Sequence, residues 1–356
     1  MVVDTTEKLA RFLPTLRQAS WVAVDTEADS LHAYPEKLCL IQISTAAGDR
    51  LVDPLAGFPL NELLAALAGH QLIMHGADYD LRLLSKHHEF IPSTIFDTML
   101  AARLLGQTKF GLGDLVERHL GVKLEKGPQK ANWALRPLSE RMEKYARNDT
   151  HYLRALSEHL ASELRSLGRL SWHQEWCARL IVESSKPVEI DKNTVWRMKG
   201  ANKLGRPALA VLKSIYYWRE KEATVSDRPP FFILSHHVAI EVAATAAAGK
   251  NYERCIPVHL TERRRQGLLK AVEQGLLVSP DQYPRLLMNH GRHTTDAERR
   301  RYLELQARRD HQAARLKIDP TLIASRSVLS DLAHNWDKHV PDLMRWQLEL
   351  LSESPS

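Results

Sequence analysis

"WVAVDTEADSL" (residues 21–31) is the stretch on which the reading of this chain turns. Its apolar start, Trp21-Val22-Ala23-Val24, reads as a buried strand, and two acids, Asp25 and Glu27, close it. Side chains on a strand alternate faces, so positions 25 and 27 project to the same side. Two carboxylates side by side repel, and one takes up a proton unless a cation sits between them. Such a pair at the end of a core strand needs a partner from elsewhere in the chain.

Outward from this stretch, the front of the chain alternates strand and helix. Strands are expected at 37–45 ("KLCLIQIST"), 49–55 and 71–76, and helices at 60–69, 80–88, 97–106, 112–120 and 138–166. Strands with helices around them imply an α/β layer architecture. From about 172 onward the pattern is helical. "LGRPALAVLKSIYYWREKEA" (204–223) is amphipathic, "DRPPFFILS" (227–235) is a proline-marked break, and a Pro- and His-rich patch near 280–293 marks a second joint. Two small all-α units fit these breaks, giving four segments: 1–170, a connector at 171–203, 204–284 and 285–356.

Further acids lie at chosen points of this layout. "HGADYDLRLL" (75–84) places Asp80 in a first helical turn, where an acid ordinarily complements the helix dipole, and Asp78 beside it is a decoy of the same kind. In "EKYARNDTHYL" (143–153), Tyr145 and Asp149 are four residues apart and share a helix face. Asp is a poor helix-interior residue, and its face also carries Met142 and Ala146. A carboxylate on such a stripe makes sense only with a partner: an Arg, a cap or a metal. Were Asp25, Glu27, Asp80 and Asp149 to converge, they could not all ionise without cations. Hard divalent ions such as Mg²⁺ take oxygen ligands, and two of them about 4 Å apart suit an in-line phosphoryl displacement.

Bulk properties narrow the classes. The 356 residues are 44% hydrophobic and 26% charged, with a net charge of +6, values that fit a soluble globular protein of two or three domains. Residues 1–170 hold 20 Lys/Arg and 21 Asp/Glu, whereas 171–356 hold 29 and 22. A basic rear half suggests contact with a polyanion. The N-terminus does not look like a signal peptide, and no segment has the length and apolarity of a membrane helix. Three scattered cysteines argue against a zinc module or a disulfide framework and fit a reducing, cytoplasmic setting.

Taken together, "VDTEADSL", His75 with Tyr79 and Asp80, and Tyr145 to Asp149 resemble the three signatures of the DEDD superfamily of 3′-to-5′ exonucleases. The Tyr at 145 points to its DEDDy branch, and linkers such as "FDTMLAARLLG" and "NWALRPLSERMEKYARND" are similar to ribonuclease D. This resemblance covers roughly 20–165. It implies a ribonuclease H-like exonuclease domain, a mixed sheet flanked by helices, followed by two all-α HRDC-like domains.

It also implies a metal-dependent exoribonuclease that releases nucleoside 5′-monophosphates. Asp25, Glu27, Asp80 and Asp149 would hold two divalent ions (Mg²⁺ or Mn²⁺), and Tyr145 would orient the attacking water. Asp97 matches a family position and reads as structural. The implied substrate is RNA with a free 3′ end, tRNA precursors foremost, with no membrane and no obligate protein partner. Leu31, Tyr34, His75, Tyr79, Lys126 and Trp133 are candidate substrate contacts. The aromatic and basic stretch 216–219 and the triplets 263–265 and 299–301 would form a basic wall. A DNA-directed exonuclease and a catalytically silent RNA-binding scaffold are the alternatives.

Overall fold

A six-stranded mixed sheet carries the front of the molecule. Its strands are β1 (Val2–Val3), β2 (Val22–Ala28), β3 (Leu38–Thr45), β4 (Gly48–Val52), β5 (Gln71–Met74) and β6 (Thr94–Asp97), in the order β1-β4-β3-β2-β5-β6. β2 pairs antiparallel with β3 and parallel with β5, so it lies inside the sheet. A computed structural model describes residues 1–187, 189, 191–287 and 294–352. Contacts divide the chain into two units, one of 1–28, 38–187 and 292–356, the other of 29–37 and 188–291.

The sheet of the first unit is covered on both faces. Every residue of β3 is buried, which explains why "LCLIQIST" reads as a continuous apolar run. On one face, Val22, Val24, Ile41 and Ile43 pack with Leu9, Phe12, Leu13 and Leu16 of α1 (Thr6–Arg17) and with α2 (Asn61–Ala68) and α3 (Asp78–His88). On the other, Leu40 and Leu51 pack with Trp133, Met142 and Ala146. Between these contributions lie α4 (Thr98–Leu104), α5 (Leu112–Leu120) and α6 (Glu140–His151), followed by α7 (Leu153–Ser166) and α8 (Leu170–Ser184). The expected single helix over 138–166 is two helices, joined at Tyr152. The two-residue β1 and four-residue β6 were too short to announce themselves by periodicity.

The rear half is organised differently from the four-segment reading. α8, expected as connector, packs Cys177 and Ile181 into the core of the first unit. The tail helices α13 (Asp296–Leu316), α14 (Pro320–Ile323), α15 (Arg326–His334), α16 (Trp336–His339) and α17 (Arg345–Ser352) follow a second unit that contains α9 (Arg206–Ser226), α10 (Pro230–Ile233), α11 (His236–Ala247) and α12 (Glu262–Leu276). Leu305, Ile323, Leu329 and Trp346 of the tail share one hydrophobic cluster with Phe96, Leu104, Leu115 and Leu160. The tail is therefore part of the first unit's packing and not a free-standing module. Arg169 fastens it, donating to the carbonyls of Leu104 (2.7 Å) and Leu316 (2.8 Å). Of the joint expected near 280–293, residues 288–293 lie outside those described.

The second unit has a core of its own, built on Trp196, Leu209, Leu212, Ile215, Val242 and Leu268. α12 crosses α9 so closely that Gly275 has no room for a side chain against the Val211 backbone. The segment 29–37 also belongs here, with the Tyr34 hydroxyl donating to Glu220 Oε2 at 2.5 Å and Lys37 paired to Asp227 at 3.2 Å.

Candidate active site

The alternation of β2 decides where its acids point. Val22 and Val24 belong to the core against α1, so Ala23, Asp25 and Glu27 face the opposite side, where Ala23 meets Leu153 of α7. α6 is docked over that same side. Thr150 shares a 2.7 Å hydroxyl contact with Ser44 of β3, and His151 Nδ1 lies 2.9 Å from Asp49 of β4. Tyr145 and Asp149, one helical turn apart on α6, are thereby turned toward β2.

Asp25, Glu27 and Asp149 meet, with a ligand oxygen from each lying within 4.8 Å of the others. No other His, Cys, Asp or Glu group of three or more among the described residues is placed to hold an ion. Asp80 is adjacent but held apart from that trio. Its Oδ1 accepts from the Thr26 amide at 3.1 Å and from the Thr26 hydroxyl, which ties the first turn of α3 to β2. The decoy Asp78 pairs with Arg82 on its own helix at 2.8 Å.

The acids burden one another. Burial, and then the charges of Asp80, Asp149 and Glu27, push Asp25 well above the ordinary carboxylate range. Burial followed by Asp149 and Asp80 raises Glu27 to about 9. Burial raises Asp149 to about 7 against the opposing hydrogen bond from Tyr145, and raises Asp80 to about 6 against the bonds from Thr26. The cross-strand partner of Asp25 is Gln42, fully buried, whose Nε2 lies 3.4 Å from the Asp25 carboxylate. Asp149 Oδ2 is buried without a hydrogen-bond partner. An all-oxygen set, an orphaned carboxylate oxygen and repulsion that positive charge would relieve are what a hard divalent cation requires.

The remaining candidates divide. His75 Nδ1 lies 2.9 Å from the Thr98 hydroxyl, which donates to the Met74 carbonyl, so the ring braces the turn after β5. Tyr79 is 45% exposed. Lys126 is exposed and, with Lys123, Gln129, Tyr145 and Asp149, lines a cavity of about 810 Å³. Trp133 does not fit the expectation of a substrate contact: it is 1% exposed, a core residue under the 121–139 loop. Leu31 and Tyr34 lie in the second unit. Asp97, fully buried, accepts from the amides of Gly76, Ala77, Met99 and Leu100, a structural role.

The expected basic wall is reduced by pairing. Arg263 and Arg264 both face Glu222, Arg265 pairs with Glu253 and Arg219 is buried against Glu220. Tyr217 stays 45% exposed, and Arg299 and Arg300 are exposed. Sequence reasoning missed Thr26, Gln42 and Gln129. Only Gln42 carried a signal, as the amide in an otherwise apolar strand.

Comparison with known proteins agrees with this geometry. A 3′-5′ exonuclease family model matches residues 1–165. A ribonuclease D of Desulfotalea psychrophila is 32% identical over 247 residues, covering 68% of this chain and 66% of its own. One of Bartonella henselae is 27% identical over 99% of this chain and 88% of its own. The chain spans about two thirds of the length of the first of these and 63% of the ribonuclease D of Sphingobium indicum. The crystal structure of Escherichia coli RNase D superposes with a TM-score of 0.75 at 24% identity, covering 100% of this chain and 99% of that one, and so shares its fold. By its motifs, its fold and its relatives, the chain belongs to the ribonuclease D family of 3′-5′ exonucleases.

Proposed function

We propose that this protein is a divalent-metal-dependent 3′-5′ exoribonuclease that removes nucleoside 5′-monophosphates from RNA 3′ ends, tRNA precursors among them. The observation that carries the reading is the convergence of Asp25, Glu27 and Asp149 within 4.8 Å, each with a raised pKa. These three would hold the ions, two Mg²⁺ or Mn²⁺, with Asp80 completing the set beside Asp25. Bound there, such ions lower the pKa of a water and neutralise charge on the phosphodiester oxygens.

The chain's own groups supply orientation. Burial and the Asp149 charge raise the Tyr145 phenol above its ordinary value, so it stays protonated at neutral pH. It therefore works as a donor and orienter, not as a base. Asp149, one helical turn on, and Gln129 line the same cavity as the phenol and are the polar groups that act on it. A lone pair of the phenol oxygen is free to accept from an incoming water. The helical second unit is read as an HRDC-type module that holds the RNA strand through exposed groups such as Tyr217.

Turnover of matched RNA and DNA oligomers with Mg²⁺ or Mn²⁺ tests the reading. Mononucleotide release from RNA 3′ ends is expected, with Asp25→Ala and Asp149→Ala abolishing it while RNA binding persists. A clear DNA preference, or no turnover under any divalent ion, overturns it.

A further inference from the structure

Gly127 lies in the loop between α5 and α6, a stretch without regular structure. A Cβ built on it would collide with the Cδ2 edge of the Tyr145 ring, with Cγ and Cε2 next nearest. The glycine backbone therefore closely abuts the tyrosine. Trp133, from the same loop, meets the ring with centroids 6.0 Å apart and planes at 37°. Gln129 lines the same cavity as the ring and acts on its hydroxyl. One loop thus bounds the ring at two places and its polar tip at a third.

The loop is itself anchored to the sheet. Arg136 grips Asp53 through two nitrogens (2.5 and 2.6 Å) and donates to the carbonyls of Cys39 and Trp133, both at 2.7 Å. Asp53 follows β4 directly, so the grip ties the loop to the strands under α6. Within α6 the phenol has one further polar neighbour, Asp149 one turn on. Helix α6 places the Cα, and the loop closes on the ring from outside the helix.

We propose that Gly127 is a positioning residue for the reaction: its missing side chain forms the slot that aims the Tyr145 hydroxyl, with Gln129 holding the tip. The inference rests on the exonuclease reading above, in which that hydroxyl orients the attacking water. A displacement on the order of 1 Å at such a group costs about a hundredfold in rate. Any residue larger than glycine at 127 collides with the ring, so the ring, the loop or both must shift. Alanine is enough.

The test uses the full-length chain carrying Gly127→Ala, Gln129→Leu, Tyr145→Phe and each pairing with Tyr145→Phe. Single-turnover rates on a 3′-hydroxyl RNA oligomer with Mg²⁺ are compared with RNA dissociation constants measured in EDTA. Gly127→Ala is expected to lose about a hundredfold in rate with unchanged affinity, and to add nothing in the Tyr145→Phe background. Gln129→Leu should show the same dependence on Tyr145 with a smaller loss, and stands in if the alanine variant fails to fold.

A ring resonance of ¹³C-labelled Tyr145 in metal-free protein supplies a readout independent of turnover, and it should move in Gly127→Ala. A wild-type rate in Gly127→Ala, full additivity with Tyr145→Phe, or an unmoved resonance overturns the inference. A fully active Tyr145→Phe would instead overturn the role given to the hydroxyl, while the resonance still reports on the slot.

Discussion

Replacing Glu27 by Gln should stabilise the metal-free protein at alkaline pH. Glu27 titrates near 4.5 in an unfolded chain and at about 9 in the folded site. A group with a raised folded pKa contributes its full stability below its unfolded value and loses it as pH climbs toward the folded one. Between pH 5 and pH 8 the loss accrues at about 1.4 kcal/mol per unit, on the order of 4 kcal/mol in total. Gln carries no proton to bind, so the variant escapes this part of the slope. Relaxation around the cluster and sharing of protons with Asp25 and Asp149 reduce the difference, and about 2–4 kcal/mol in favour of the variant at pH 8 is expected.

The assay is urea unfolding of both proteins in EDTA at pH 5, 6.5 and 8. The two should nearly coincide at pH 5 and separate progressively above it, the variant gaining. Divalent ion should then reverse the order. Ligand at ten times its dissociation constant adds about 1.4 kcal/mol to a protein that binds it, and Glu27→Gln should gain much less. A variant no more stable than the parent at pH 8, or equally stabilised by Mg²⁺, would refute the claim that these acids repel until a cation enters.

Other substitutions separate the scaffold from the site. Arg136→Ala leaves Asp53 buried without its partner and should cost about 3 kcal/mol in urea unfolding, with a loss of rate since the Gly127 loop is released. Asp97→Ala orphans the amides of Gly76, Ala77, Met99 and Leu100 and should cost about 3–5 kcal/mol by the same measurement, whether or not metal is present. Gly275→Ala normally gains about 1 kcal/mol inside a helix. Here, against the Val211 amide 3.1 Å away and the Ala210 carbonyl 3.2 Å away, it should instead destabilise the second unit by about 1–3 kcal/mol in thermal unfolding, and a stabilised variant would refute the close crossing.

Much of this was legible in the chain because the signals were local. β2 and β3 announced themselves through apolar runs, and the period of two puts Asp25 and Glu27 on one face. Asp149 stood out as an acid on a buried helical stripe. The pairing of Asp25 with Gln42 was half-visible, since one amide inside "LCLIQIST" must find a polar neighbour. Asp80 was the harder case. Its first-turn position has an ordinary explanation, and its bond to Thr26 spans 54 residues of sequence, which no periodicity encodes.

What stayed hidden depends on which surface a residue finally meets. Trp133 lies in a polar loop, "QKANWALRP", and reads as exposed by its neighbours, yet Leu40 and Leu51 leave a face that the indole fills. The tail over 294–352 has the caps and amphipathicity of an independent bundle, including a Thr295–Glu298 capping box. Its apolar stripe is nevertheless completed by Leu104, Leu115 and Leu160, roughly two hundred residues earlier. The arginine triplet 263–265 looks like an open basic surface until Glu222 and Glu253 are seen to face it. Charge counted along a sequence measures supply, and only the fold determines how much is neutralised within the chain. The same reasoning makes the Asp25, Glu27 and Asp149 trio informative, because in this cluster the fold gathers like charges that raise one another's pKa.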